Sequence, residues 1–460
     1  MFMRLSWLCA VLVGGAALLS LSACSDSSDV GLGVGPPSDS LQGGQPLTLD
    51  VSPSLADTAR DVPITGENAR QPPNRDAWRF LAGTVNDPAS GPGVIEAEGY
   101  VDFAGRNSLP SAIASADDAD SLTAELRLPT VYLHGIADGE ISVEVYDLTE
   151  EATMDSARAD ASFEADEMNP ASVSTAQISP TDSLVTIELR QNWIRQNLTV
   201  LQDTSDDGLS FEDNFSGFKI VAPNSEAVVG FSSSDAALRL THVSDTASAD
   251  FPALKTFTHI TERNAASAPT GYKLLQGGVG AGLTMEWDFD APPLDTLRNA
   301  PLNRAEIFVP VDTSELNRRT GPDFSRPLPS GFRVVATRHP DPDTPSCSNI
   351  FGVLGLATGN RACTLPLVSS AAPAAALVSN DIARPIFAQS FRRVRETNGT
   401  SDPPLFTTFR VFAADRQSAD SGSRATLQPG LPTTVPVLIP DQTAPEDPGP
   451  PRATLTVTPL

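Results

Sequence analysis

Apolar residues fall on every second position again and again along this chain, and forty prolines are spread through its 460 residues. A period of two is that of a strand with one face buried. Proline lacks the amide proton that a helix interior needs, so prolines at this density disfavour long helices and favour loops and strand edges. The pair of signals predicts an all-β chain. Residues 95–103 set Ile95, Ala97, Gly99, Val101 and Phe103 on one face. Residues 121–128 set Leu122, Ala124, Leu126 and Leu128 against Thr123, Glu125 and Arg127. Residues 141–148 and 183–190 repeat the alternation, with a turn at Asp138-Gly139 before the first of them. Shorter runs follow at 218–222, 228–231 and 237–241, then at 283–289, 303–311, 331–338, 405–413, 433–439 and 453–457. Helix candidates are few: 192–198 and 148–157.

The two halves look alike. Ala124-Glu125-Leu126-Arg127-Leu128-Pro129 matches Ala305-Glu306-Ile307-Phe308-Val309-Pro310. Each hexapeptide follows a glycine-containing strand and precedes another strand, and each half closes on a strand, at 238–241 and 455–458. This order predicts two antiparallel β-sandwiches, jelly-roll-like, as a degenerate repeat over 76–245 and 270–460. Pro129 and Pro310 would end matched strands. Residues 243–268, rich in Ser, Asp, Thr, Asn and Pro, would be a linker or long crossover.

The N-terminus carries an address. One basic residue, Arg4, precedes an apolar run from Leu5 to Leu21, and the chain turns polar at Ser25-Asp26-Ser27. That is the layout of a secretory signal. Leu21-Ser22-Ala23-Cys24 resembles the bacterial lipobox. The resemblance implies a signal peptide at 1–23, lipid on the Cys24 thiol, and fatty acid such as palmitate on the new amine. Several acyl chains, each CH2 worth about 0.8 kcal/mol when buried, hold a body to a bilayer where one chain would not. The alternative, a retained membrane anchor, needs about 20 apolar residues, more than this run supplies. Residues 24–75, rich in Ser, Gly, Pro and Asp, would be a flexible tether with one short strand at 46–51. The acidic start after Cys24 resembles the surface-export signals of some lipoproteins of two-membrane bacteria.

Formal net charge is -26, and Lys219, Lys255 and Lys273 are the only lysines. Such a surface repels nucleic acid and anionic lipid and keeps the body soluble. It also resembles the composition of proteins from salt-loving bacteria. Of four cysteines, Cys9 leaves with the signal and Cys24 takes lipid. Cys347 and Cys363 remain, and in an oxidising compartment two such residues closing a short loop pair as a disulfide; the alternative is two free buried thiols.

Sites for chemistry are scarce. His134, His242, His259 and His339 lie far from one another and from the cysteines, which argues against zinc. No Gly-x-Ser-x-Gly elbow is present. Gly278, Gly280 and Gly282 begin like a dinucleotide loop, but Leu283 takes the third glycine's place and a strand follows. Asp203, Ser205 and Asp207, with Gly208, match the first half of a calcium loop. Asn214 stands where a bidentate Glu belongs, so the alternative is a solvated acidic turn. Trp78, Trp193 and Trp287 sit in apolar contexts that suit core packing better than sugar stacking.

Cys24, Phe80-Leu81-Ala82-Gly83 with Asp87-Pro88, Asp120-Ser121-Leu122, Val143–Glu150, Phe215–Ile220, Gly277–Gly280 and Leu302–Ile307 occur in an order that resembles the lipoproteins of domain-of-unknown-function family 4270. The segment 124–149 is also similar to strand-rich repeat domains of secreted bacterial proteins. The resemblance implies a β-rich, lipid-anchored protein of the outer membrane, facing the periplasm or the exterior. It implies no activity and no catalytic residues. Two functional readings follow. The first is a non-enzymatic envelope lipoprotein in a binding or structural role, with the bilayer and an envelope protein or glycan as partners. The second is a glycan-directed protein, either a carbohydrate-binding module or a glycoside hydrolase.

Overall fold

A computed structural model describes residues 46–57, 79–149, 174–244, 246–264, 266–276, 282–297, 299–319, 321, 323–329, 331–338, 357–358, 362–365, 375–378, 380–396, 406–414, 434–441 and 449–458. Its strands, in chain order, begin with β1 (Leu47–Val51), β2 (Ser54–Asp57), β3 (Arg79–Val85), β4 (Val94–Phe103), β5 (Leu122–Ile136), β6 (Ile141–Asp147), β7 (Ser174–Ile178) and β8 (Leu184–Glu188). Next come β9 (Phe218–Val221), β10 (Ala227–Ser232), β11 (Ala237–His242), β12 (Ser248–Arg263), β13 (Tyr272–Gln276), β14 (Leu283–Glu286), β15 (Leu302–Pro310) and β16 (Phe324–Ser325). Last are β17 (Gly331–Arg338), β18 (Ala357–Thr358), β19 (Ala362–Leu365), β20 (Ala375–Val378), β21 (Phe406–Ala414), β22 (Pro436–Pro440) and β23 (Arg452–Val457). Three helices matter below: α1 (Gln191–Leu201), α2 (Leu209–Asn214) and α3 (Asn380–Glu396). The chain is β-rich and its sheets are antiparallel, as the alternation predicts.

Strands β3 to β12, with β16, make one eleven-stranded sheet. Its neighbours run β12-β11-β5-β10-β3-β4-β9-β6-β7, and β12 also pairs with β4. The hydrogen bonding therefore returns on itself through β3, β4, β12, β11, β5 and β10. Two long strands make the closure. On one edge β5 pairs with β11 over Leu122–Arg127, then with β10 from Thr130 onward. β12 pairs with β11 as far as Pro252, shifts register after Ala253, and continues along β4 to Arg263. The inward rows, including Val101, Phe103, Leu126, Leu128, Ile187, Leu238 and Phe251, form a core closed by Trp193 and Ile194 of α1.

Pro129 does not end its strand. β5 runs seven residues further; Pro129 lies between the β11 and β10 pairings on one edge and, on the other, is the last residue paired with β8, opposite Leu184. Pro310 does end β15. The expected linker at 243–268 is likewise overturned, since sixteen of its residues are β12. Two of its threonines, Thr256 and Thr258, are buried. Thr258 Oγ1 accepts the Leu81 amide at 2.9 Å, and the Ser233 and Thr256 hydroxyls meet at 2.8 Å. A buried hydroxyl with a partner is tolerated in a core, and β-branched Thr suits a strand.

The second sheet system holds a four-stranded sheet, β1-β23-β15-β20, a six-stranded sheet, β18-β19-β17-β21-β14-β2, and the pair β13-β22. They share a core with Val51, Met285, Trp287, Ile307, Val309, Phe409 and Leu455. β1, at the strand expected within 46–51, and β2, which the tether reading omits, are edge strands of these sheets. The N-terminal segment thus completes the C-terminal system, and the sheet of 79–263 is inserted between. Helix α3, seventeen residues long, is also absent from the sequence expectations. Its Ala383, Ile386, Phe387 and Phe391 are buried, at helical spacing, and Phe387 packs edge-on to Trp287 at 5.2 Å.

Candidate functional site

The two systems meet at a seam, where β16 adds two residues to the end of β5, pairing Phe324 with Ile136 and Ser325 with Gly135. Ser325 Oγ donates to the Leu133 carbonyl at 2.9 Å, and the Ala137 amide to the Asp323 carbonyl at 3.2 Å. Val435, with Phe324 and Leu328 beside it, packs on Leu81, Val85, Ile95, Tyr132, Val228 and Ile260.

Inside the seam lies a closed polar cluster. Asp87 follows β3 and caps the turn Pro88–Ser90, its Oδ1 accepting the Ala89 amide at 2.8 Å. His134 points in from β5, and its Nε2 lies 2.8 Å from Asp87 Oδ2. Arg326, just past β16, grips the same carboxylate from the other system, Nε at 2.8 Å from Oδ2 and Nη2 on Oδ1. Its Nη1 donates to the Leu316 carbonyl. Thr434, ahead of β22, sets Oγ1 2.8 Å from His134 Nδ1 and 3.1 Å from the Tyr132 hydroxyl. Asp87, His134 and Thr434 are fully buried, and the Arg326 side chain is 5% exposed.

The protons can be placed. A carboxylate only accepts, so the neutral ring carries its proton on Nε2 and donates to Asp87. Nδ1 then accepts from the Thr434 hydroxyl, which in turn accepts from Tyr132. The Thr434 amide donates back to the Tyr132 oxygen at 3.2 Å. Electrostatics agree with this assignment. Burial pushes the Asp87 carboxyl up, but hydrogen bonds from His134 and Arg326, with the charge of the guanidinium, more than offset it and hold it at about 2. Burial pushes the His134 imidazole below its ordinary 6.5, with Asp87 opposing and Arg326 assisting, so the ring is neutral at neutral pH.

Hydroxyl, imidazole and carboxylate in a row have the connectivity of a charge relay. Here the hydroxyl is buried and the carboxylate is neutralised by Arg326, so the row offers no reachable nucleophile. What it can do is join two sheet systems. A second cluster lies on the N-terminal sheet: Lys219 Nζ is 3.0 Å from Glu98 Oε1, and Tyr100 donates to Glu98 Oε2 at 2.8 Å. His259 Nδ1 approaches the same oxygen at 3.4 Å. Burial raises the Glu98 carboxyl, but hydrogen bonds from His259 and Lys219 lead the effects that hold it at about 2.

The residues singled out by sequence go elsewhere. Cys24 and Cys347 lie outside the described residues, as do Trp78 and His339. Cys363 is on β19, opposite Ala336 of β17. Asp203 Oδ1 accepts from the Ser205 amide and hydroxyl, and Oδ2 accepts from Ser210 Oγ at 2.6 Å. Asn214 ends α2 and donates to the Ser210 carbonyl at 2.7 Å. Gly208 in that turn has φ +94°, and a Cβ there would stand 2.6 Å from the backbone of Gly105. Asp203, Ser205 and Ser210 thus form a self-capped acidic turn. Among the described residues no group of three or more His, Cys, Asp or Glu is placed to hold a metal ion. Trp193 and Trp287 are buried, the former donating to Asp147 Oδ1 at 2.8 Å. Sequence spacing could not expose the seam cluster, because His134 is 47 residues from Asp87 and 300 from Thr434. The one local signal is Asp87-Pro88, an acidic cap before a proline. Compared with protein-family models and with curated proteins, the chain matches none.

Proposed function

We propose that this chain is a lipid-anchored lipoprotein of the outer membrane whose β-rich body serves a non-enzymatic binding or structural role in the envelope. The observation that carries the reading is Leu21-Ser22-Ala23-Cys24 behind a short apolar run and one basic residue. The rest is compatible with it. No helix among the described residues is long and apolar enough to cross a membrane. The body is acidic, and its most elaborate polar cluster is closed inside the seam. The finer architecture proposed is two sandwich-like units descended from one repeat. Its support is that Leu126, Leu128, Ile307 and Val309 are all buried, at matched places in the two hexapeptides. The glycan-directed reading draws no support from Trp193 or Trp287, since neither presents a stacking face.

Expression of Cys24→Ser beside the wild-type chain tests the anchor. The wild-type protein should sediment with membranes and take up labelled fatty acid, and the variant should do neither. Equal membrane retention of the two chains, without label in the wild type, would refute it.

A further inference from the structure

The seam is the weak plane of this molecule. Each sheet system has its own large core. Across the seam, among the described residues, the apolar contacts are few and small: buried Val435 with partly buried Phe324 and Leu328 on the N-terminal sheet, and the alanines Ala89 and Ala266 on the C-terminal core. Most of what joins the two sides is polar: the Asp87–Arg326 pair, the His134–Thr434 bond, the Tyr132–Thr434 bonds and the two-residue β16–β5 pairing. Contacts of this kind resemble transient interfaces rather than domain cores.

At the centre of that plane sits the one group in the cluster whose ordinary titration falls near neutrality. The groups facing His134 can be taken element by element. The turn after β3 brings Asp87, and the segment after β16 brings Arg326 with the Phe324 ring, 5.7 Å from the imidazole. The segment before β22 brings Thr434, which links the ring to the Tyr132 phenol of β5, itself under Arg79 at 4.3 Å. β10 places neutral Val228 opposite His134, and neutral Gln276 of β13 donates to the Thr434 carbonyl. The one carboxylate in contact is already matched by one guanidinium. A proton added at Nδ1 would leave a fully buried cluster with an excess positive charge, and would turn the acceptor that Thr434 needs into a donor.

We propose that the His134 cluster is an acid-released latch: at neutral pH it holds the two sheet systems as one unit, and protonation of His134 undocks Thr434 and residues 323–329 from the N-terminal sheet while both systems stay folded. The sign follows from linkage. The docked imidazole resists its proton and the undocked one takes it near 6.5, so docking weakens as pH falls below that value. Asp87 keeps its charge through this window, since the carboxyl ordinarily titrates at 3.8 and is held lower when docked.

Hydrogen exchange of the full chain, corrected for intrinsic rates, tests the latch at pH 7.5 and pH 5.0. With the undocked ring at about 6.5, the opening equilibrium should rise by up to about thirtyfold between these values. The amides of Ala137 and Thr434, which donate across the seam to Asp323 and Tyr132, and those of the β16–β5 pairing should lose protection by that factor, while β4, β9, β15 and β23 keep theirs. His134→Gln should show no such loss between the two pH values. Unchanged seam protection in the wild type, equal acid loss in His134→Gln, or loss spread evenly over the whole chain would each overturn the proposal. Should His134→Gln not fold, the wild-type slope decides: one proton, tenfold per pH unit below 6, is required, and a flat profile refutes the latch.

Discussion

Replacing Arg326 by Met isolates the ionic half of the seam. Methionine keeps much of the apolar stem and removes the guanidinium. Asp87, fully buried, then loses two charge-assisted hydrogen bonds and keeps those from His134 and the Ala89 amide, while the Leu316 carbonyl keeps only the Arg319 amide. Removing one partner of a buried pair costs about 3–5 kcal/mol, because the charge left behind is uncompensated. A second route gives a similar size. Holding the Asp87 carboxyl at about 2 rather than 3.8 is worth roughly 2–3 kcal/mol at 1.36 kcal/mol per pH unit, a contribution shared with His134. That contribution is fully present at neutral pH and fades as pH falls from 3.8 towards 2. Calorimetry at pH 7.5 should therefore show one transition for the wild type, and for Arg326→Met either two transitions or one markedly lowered. Arg326→Lys should fall between, since an ammonium cannot supply the two-nitrogen fork. Combining Arg326→Met with Asp87→Asn should cost less than the sum of the two changes. A single transition for Arg326→Met within about 1 °C of the wild type, where 1 kcal/mol shifts a melt by several degrees in small domains, would refute the reasoning.

Leu126→Ala and Ile307→Ala should each cost about 2–5 kcal/mol, and at pH 7.5 both should lower the same melting transition because the seam couples the systems; independent transitions would break that coupling argument. Deleting residues 46–57 removes an edge strand from each of two C-terminal sheets, so exchange should quicken in β14 and β23 and not in β4 or β10; no change in β14 and β23 would show that β1 and β2 stabilise nothing. A non-reducing peptide map should link the fragments carrying Cys347 and Cys363, and recovery of both as free thiols after anaerobic denaturation would exclude the bridge. With a net charge of -26, the chain should melt higher in molar salt than in dilute buffer; equal values would remove the salt-adaptation reading.

The strands were legible wherever alternation was clean. β4, β6, β8, β10, β11, β15, β17 and β23 fall within a residue or two of their expected bounds, because one buried face imposes a period of two on any sequence that forms it. β12 was hidden by its composition. Ser, Asp and Thr look like a linker until tertiary neighbours supply the hydroxyls with partners, as Leu81 and Ser233 do for Thr258 and Thr256. α3 was hidden by Pro385, which sits inside the helix. Its buried set, Ala383, Ile386, Phe387 and Phe391, shows the helical spacing in the sequence itself, so periodicity outweighed the proline signal there.

By itself the sequence determined the β-rich character and the position of most strands, because each is written in a few neighbouring residues. Only the tertiary structure decided how the strands are shared. It gives β1 and β2 to the far end of the chain, it bends β5 and β12 between partners, and it brings Asp87, His134, Arg326 and Thr434 into one buried cluster. Which edge a strand pairs with depends on groups tens to hundreds of residues away. A buried charge is tolerated only when those distant groups arrive together, and no local pattern records their arrival.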